Sequence, residues 1–190
     1  MTEPLSITAA IVLGMLLDAE PAASTSPYRA FYDATADAIT VVANAAPLFT
    51  GPDGSLKSAA VYASLQWFES NGNVAAEGDC QFLTKESQCD RTRADKGNPQ
   101  SFGLFQIGQS NFAFLETTRE IMTSDPLAQT WAAQKMIAVS FAVCRGRPED
   151  DLLGQYASGG DTCGGVTKSQ HRLRKAKWLF SRAKAKKEPT

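Results

Sequence analysis

The chain has a single histidine, His171, set among basic residues near the C-terminus. One imidazole supports neither a histidine-based catalytic triad nor a multi-histidine metal site, so His171 reads as a surface residue. Long apolar runs are also missing. The longest, Ile7 to Leu17, is interrupted by Thr8 and Gly14 and falls short of the roughly 20 residues a membrane-spanning helix needs. No Lys or Arg precedes Arg29 and Glu3 is acidic, whereas a secretory leader begins with positive charge. The stretch therefore reads as a structural helix and not as an ordinary signal peptide. Gly-x-Ser-x-Gly nucleophile elbows and phosphate-cradling Gly-x-x-x-x-Gly-Lys loops are absent too. Close Cys-x2-4-Cys pairs of the zinc-site kind are lacking, because the four cysteines stand at 80, 89, 144 and 163. Two disulfides fit better. Of the three connectivities, Cys80–Cys89 with Cys144–Cys163 closes the shortest loops and implies an oxidising compartment. No metal and no cofactor is expected.

With 190 residues, 43% of them apolar and 21% charged, the chain is long enough to bury a core and polar enough to be a soluble globular protein. The net charge of −1 hides an asymmetry: residues 168–190 carry nine of the 19 Lys and Arg and, as acid, only Glu188. Such a segment would be drawn to an anionic polymer, whether cell-wall glycan, nucleic acid or lipid headgroups; the plainer reading is a solvated last helix with a frayed end.

Apolar spacing predicts helices near residues 5–18, from about Pro27 to Ala45, and from Ser55 to about Ser70. The stretch from Asn71 to Gln100 turns polar and charged and reads as an irregular or β-hairpin excursion. Asp125-Pro126 supplies a cap acceptor and a first-position proline for a helix whose Leu127, Trp131, Ala138 and Phe141 would make it the buried centre. A further helix is expected from Pro148 to about Ala157, closed by Gly159-Gly160, and a basic one from Thr167. The fold class is mostly α, or α+β with little sheet. Residues 1–54 form a helical extension, 55–165 the main domain and 166–190 a basic helix or tail.

Chemistry concentrates in three segments: Trp67-Phe68-Glu69-Ser70-Asn71-Gly72-Asn73, Ser101-Phe102-Gly103-Leu104-Phe105-Gln106-Ile107 and Tyr156-Ala157-Ser158-Gly159. A glycosidic oxygen leaves poorly unless protonated, and a carboxyl buried against apolar groups stays protonated toward neutral pH. Leu65 lies one helical turn before Glu69, with Trp67 and Phe68 beside it, so Glu69 would emerge from an apolar face. An exposed glutamate at a helix end is the alternative. No acid occurs in the other two segments. Glu77, Asp79, Glu86, Asp90 and Asp95 are the only nearby candidates for a second carboxylate, which hydrolytic glycosidases usually need.

In order and type, these segments resemble the motifs of the lytic transglycosylase and goose-type lysozyme superfamily, whose SLT domain carries Glu-Ser at a helix end, Ser-x-Gly-Leu-(Met/Phe)-Gln-Ile, and a Tyr-Asn-(Ser/Ala)-Gly-like element. With Asn111-Phe112 following, the chain looks most similar to the specialised branch that serves type IV secretion, conjugation and bacteriophage infection. The resemblance spans roughly residues 55–165. It implies a lysozyme-like fold and a muramidase that cuts the MurNAc–GlcNAc β-1,4 bond of peptidoglycan. Glu69 would be its single acid and base, leaving 1,6-anhydroMurNAc ends in the course of cell-wall degradation. Ser70, Ser101, Gly103, Phe105 and Gln106 would line the substrate site, Gly103 by close backbone approach to a sugar and Phe105 by an apolar ring face. Tyr156 would position the carboxyl, and Ser158 and Gly159 would floor the cleft. Ala157 stands where the family has asparagine.

The same resemblance implies work in the periplasm or cell-wall space, after delivery by a virion or secretion apparatus whose proteins would be partners. A goose-type hydrolytic lysozyme or a chitinase is the alternative within enzymes. From another class comes a virion or secretion component that grips glycan without cutting it.

Overall fold

The computed structural model describes residues 6–24, 29–78, 99–160 and 162–187, leaving aside the side chains of Ala23 and Lys187. Seven α-helices are described: α1 (Ala9–Ala19), α2 (Arg29–Ala45), α3 (Gly54–Ser70), α4 (Phe112–Leu115), α5 (Pro126–Val143), α6 (Gly154–Ser158) and α7 (Thr167–Lys187). A small antiparallel sheet of order β1-β2-β3 joins Glu77–Gly78, Ser101–Phe102 and Ile107–Gly108, with Gly78 opposite Ser101 and Phe102 opposite Ile107. The protein is thus mostly helical with a little sheet, as the sequence predicts. β1 lies within the predicted excursion and β2 directly follows it. Cys80, Cys89, Asp79, Glu86, Asp90 and Asp95 lie outside the described residues.

The buried centre is α3 and not α5, contrary to the sequence-based expectation. Every residue from Gly54 to Gln66 except Lys57 is buried. Small side chains make this possible: Ser55, Ser58, Ala59, Ala60, Ala63 and Ser64 let α1, α2 and α7 pack closely around the helix. In a helix enclosed on nearly all sides, apolar spacing locates the helix but does not reveal how deeply it is buried. In α5, Leu127 is exposed, and the inward face is built from Gln129, Ala133, Ile137 and Ser140. The start of α5 is as expected, with Asp125 Oδ1 accepting from the amides of Leu127 and Ala128.

One hydrophobic core runs through all three predicted divisions, from Val12 and Ile39 through Leu65 and Leu104 to Leu173 and Leu179. α7 seats Leu173, Ala176, Leu179 and Ala183 in it, so it is a docked helix. Four of its cations meet acids on other elements. Lys177 reaches Asp150 at 2.6 Å, Arg182 and Lys186 reach Asp18 at 3.2 and 2.7 Å, and Lys184 reaches Asp53 at 2.9 Å. Burial works against the Asp18 carboxylate, but its two cationic partners outweigh that and hold its pKa below the usual range. The charge asymmetry of the sequence is therefore in part an internal match. No helix among the described residues is long and apolar enough to cross a membrane.

Two devices hold the segments around α3. Cys144, at the end of α5, is bonded to Cys163 across a Cα–Cα distance of 5.3 Å. Between them, the helix expected from Pro148 to Ala157 is broken into a 3₁₀ turn, Glu149–Asp151, and α6. The buried Ser140 hydroxyl is wedged into the break: it donates to the Leu152 carbonyl at 2.8 Å and accepts from the Tyr156 amide at 3.1 Å. It thus takes the place of the bond that would have closed that helical turn.

Gln129 is the second tie. Fully buried on α5, it accepts from the Leu104 amide at 2.7 Å and donates to the Val74 carbonyl at 3.2 Å. Gln129→Ala leaves both backbone groups unpaired, and we expect it to cost roughly 2–4 kcal/mol of unfolding free energy in urea titrations; a loss under about 1 kcal/mol would show that water replaces both bonds.

Candidate functional site

α3 ends at Ser70, and Asn71 turns the chain in the left-handed conformation at φ 51°, which asparagine tolerates better than most residues. The last helical turn thereby delivers Glu69 into a cleft of about 610 Å³. Its other walls are Ser101, Phe105 and Gln106 around the β2–β3 turn, Tyr156, Ala157, Ser158 and Gly159 in and after α6, and Lys168 and Arg172 on α7. The three sequence segments meet in this one cleft, and Glu69 is the one acidic side chain lining it among the described residues. Glu77 is ion-paired with Arg119 instead.

Several predicted residues are placed differently within that frame. Ser70 lines a separate cavity of about 730 Å³ with Phe31, Tyr32 and Asn73, and its hydroxyl donates to the Gln66 carbonyl at 3.1 Å. Gly103 faces the interior. At φ 77° it passes so close to α5 that an added Cβ would stand 2.4 Å from the Met122 carbonyl oxygen and 2.7 Å from Gln129 Oε1. The tight backbone approach read from the sequence is therefore to protein. The Phe105 ring is 1% exposed and meets Tyr62 edge-on at 6.3 Å, so it belongs to the core and offers a sugar no broad face.

Gln106, itself at φ 48°, has a braced amide: Oε1 accepts from the Ser101 hydroxyl at 2.8 Å and Nε2 donates to the Gly103 carbonyl at 3.0 Å. The Tyr156 hydroxyl donates to the Phe105 carbonyl at 2.7 Å, linking α6 to the β2–β3 turn. Burial pushes its pKa well above the ordinary tyrosine value; the nearby Glu69 charge adds to this and that of Arg172 opposes it.

Arg172 is the residue that sequence reasoning missed. Its Nη2 forms an ion pair with Glu69 Oε1, both side chains being largely buried. The apolar shielding expected from Trp67 and Phe68 goes elsewhere. Their rings pack on each other at 4.7 Å, Trp67 Nε1 points to Glu20 at 3.4 Å, and Phe68 is exposed. A guanidinium in contact stabilises the ionised carboxylate, whereas an apolar wall would favour the protonated acid. A signal for Arg172 was present. It lies four, seven and eleven positions before Ala176, Leu179 and Ala183, which puts an arginine on the inward stripe of α7.

No known family, characterised protein or solved structure matches the chain. The functional reading therefore rests on the cleft and on the three segments that form it.

The tyrosines give a check on this packing. Tyr32, Tyr62 and Tyr156 are all raised above the value of 10.0, in each case chiefly by burial. A raised folded-state pKa contributes stability that is complete below the unfolded value and is lost as pH climbs past it. Absorbance titration of the folded protein should therefore show these phenols ionising only above about pH 10, with unfolding free energy falling over the same range; ordinary titration without loss of structure would contradict the burial.

Proposed function

We propose that the protein is a lytic transglycosylase that cuts the MurNAc–GlcNAc β-1,4 bond of peptidoglycan. The observation that carries this reading is the convergence of Glu69, Gln106 and Tyr156 on a cleft with one carboxylate among its described lining residues. Glu69, as the acid, gives its proton to the glycosidic oxygen as the C1–O bond breaks. As the carboxylate it then takes the proton of the muramyl 6-hydroxyl while that oxygen bonds to C1. The products are a free 4-hydroxyl and a 1,6-anhydro end, and no water is consumed. A single carboxylate suffices for this sequence, whereas hydrolysis usually engages two.

The resting ion pair adds a requirement. Glu69 begins as a carboxylate held by Arg172, so it must gain a proton and Arg172 must let go before the first step. That same pair favours a second reading, a virion or secretion component that grips glycan and leaves it whole, since a carboxylate locked to a cation serves holding better than proton transfer. The Cys144–Cys163 bond suits action in the oxidising space of the cell wall, reached through a virion or secretion apparatus.

Digestion of purified peptidoglycan, with mass analysis of the sugar ends, separates the readings. Wild type should yield ends one water lighter than reducing sugars, and Glu69→Gln should lower the rate on the order of 10²–10⁴-fold. Ordinary reducing ends would make the protein a hydrolytic lysozyme. Binding without any cleavage by folded wild type would favour the gripping component.

A further inference from the structure

We infer that Lys168 and Arg172 form a recognition site for a carboxylate on the muramyl substituent, and that this carboxylate draws Arg172 off Glu69 as the strand binds. The inference rests on the glycan reading of the cleft and adds the group by which the strand is chosen.

Among the described charged residues lining the cleft, Glu69 is the one acid, facing Lys168 and Arg172. The two cations are four residues apart on α7 and so share a face. Lys168 is exposed, while Arg172 is only 7% exposed. The Arg172 backbone is fixed, because its carbonyl accepts from the buried Ser64 hydroxyl at 2.7 Å. Its guanidinium is not fully engaged. Nη2 meets Glu69, but Nε and Nη1 are buried with no hydrogen-bond partner among the described residues.

A guanidinium carries five N–H donors in a planar fork suited to bidentate carboxylates, and buried donors without acceptors are costly. A carboxylate arriving in the cleft would satisfy those donors once the guanidinium turns from Glu69 toward it, with Lys168 adding charge at the edge. N-acetylmuramyl units bear a lactyl carboxyl, free or extended by a peptide with carboxyls of its own; N-acetylglucosamine units bear neither. A neutral strand therefore leaves Arg172 on Glu69, and a carboxylate-bearing strand releases the acid for protonation. The Glu69–Arg172 pair becomes a substrate-selective latch.

Titration calorimetry of the full chain tests this with three tetrasaccharides: a muramyl strand with free lactyl carboxylates, the same strand with its peptide stems, and a neutral N-acetylglucosamine oligomer. Wild type should bind at least one carboxylate-bearing ligand roughly tenfold or more tighter than the neutral one, since charge-assisted pairing of this kind contributes about 1.5–3 kcal/mol. Preference for the first ligand over the second assigns the lactyl group, and the reverse assigns the stem. Arg172→Met should abolish the preference, and Arg172→Lys should restore part of it.

Lys168→Met, at an exposed position, should cut the preference severalfold; it keeps the test decisive if Arg172→Met does not fold. Equal wild-type affinity for all three ligands, or no binding of any, would overturn the inference. So would an equal loss for neutral and charged ligands in Arg172→Met or, if that variant does not fold, in Lys168→Met. Cleavage is read separately, so a chain that selects the carboxylate without cutting keeps this site and loses the catalytic reading, and one that cuts charged and neutral strands alike after binding them equally does the reverse.

Discussion

α3 is buried over nearly all of Gly54 to Gln66, and the remaining helices are arranged by the need to surround it. Its middle is built from Ala and Ser, so helix axes approach closely and pack at interior density with little side-chain volume between them. Enclosure fixes where the helix ends. Glu69 and Ser70 emerge at the first point where the chain can turn, which Asn71 does in a left-handed conformation. α7 must lie along α3 to complete the enclosure, and Arg172 thereby comes into contact with Glu69. The ion pair at the centre of the cleft is a consequence of how the core is closed.

That pair gives the site its character. A general acid isolated in an apolar pocket would be ready at rest, as the sequence alone suggests for Glu69. The structure has a carboxylate matched by a buried cation, beside the Tyr156 hydroxyl that ties α6 to the β2–β3 turn. Removing one partner of a buried pair leaves an uncompensated charge, a loss of about 3–5 kcal/mol. A ligand carboxylate that takes Arg172 compensates the cation, and protonation of Glu69 removes the other charge, which connects the electrostatics of the resting cleft to the kind of strand it accepts.

Much of the fold was legible where local chemistry decides it. Asp125-Pro126 begins α5, glycine and proline bound the helices, and Cys144 finds Cys163. The three segments meet because each places polar groups beside a core residue: Glu69 follows Leu65 and Gln106 follows Leu104. What the sequence hid depends on tertiary packing. α3 has no polar face to reveal its burial. Ser140 and Gln129 look like ordinary helix residues until their bonds to Leu152, Tyr156, Val74 and Leu104 appear. Arg172 was masked by its neighbours, because a run of cations reads as a solvated face even when one member points inward.

The most direct test of the account is to map where a glycan lies on the folded chain, by backbone amide chemical-shift changes on adding soluble muramyl oligosaccharides. The account predicts changes at Glu69, Gln106, Tyr156 to Gly159 and Arg172, all bordering the one cleft. Changes confined to the neighbouring cavity of Phe31, Tyr32 and Asn73, with the Glu69 and Arg172 signals unmoved, would contradict it.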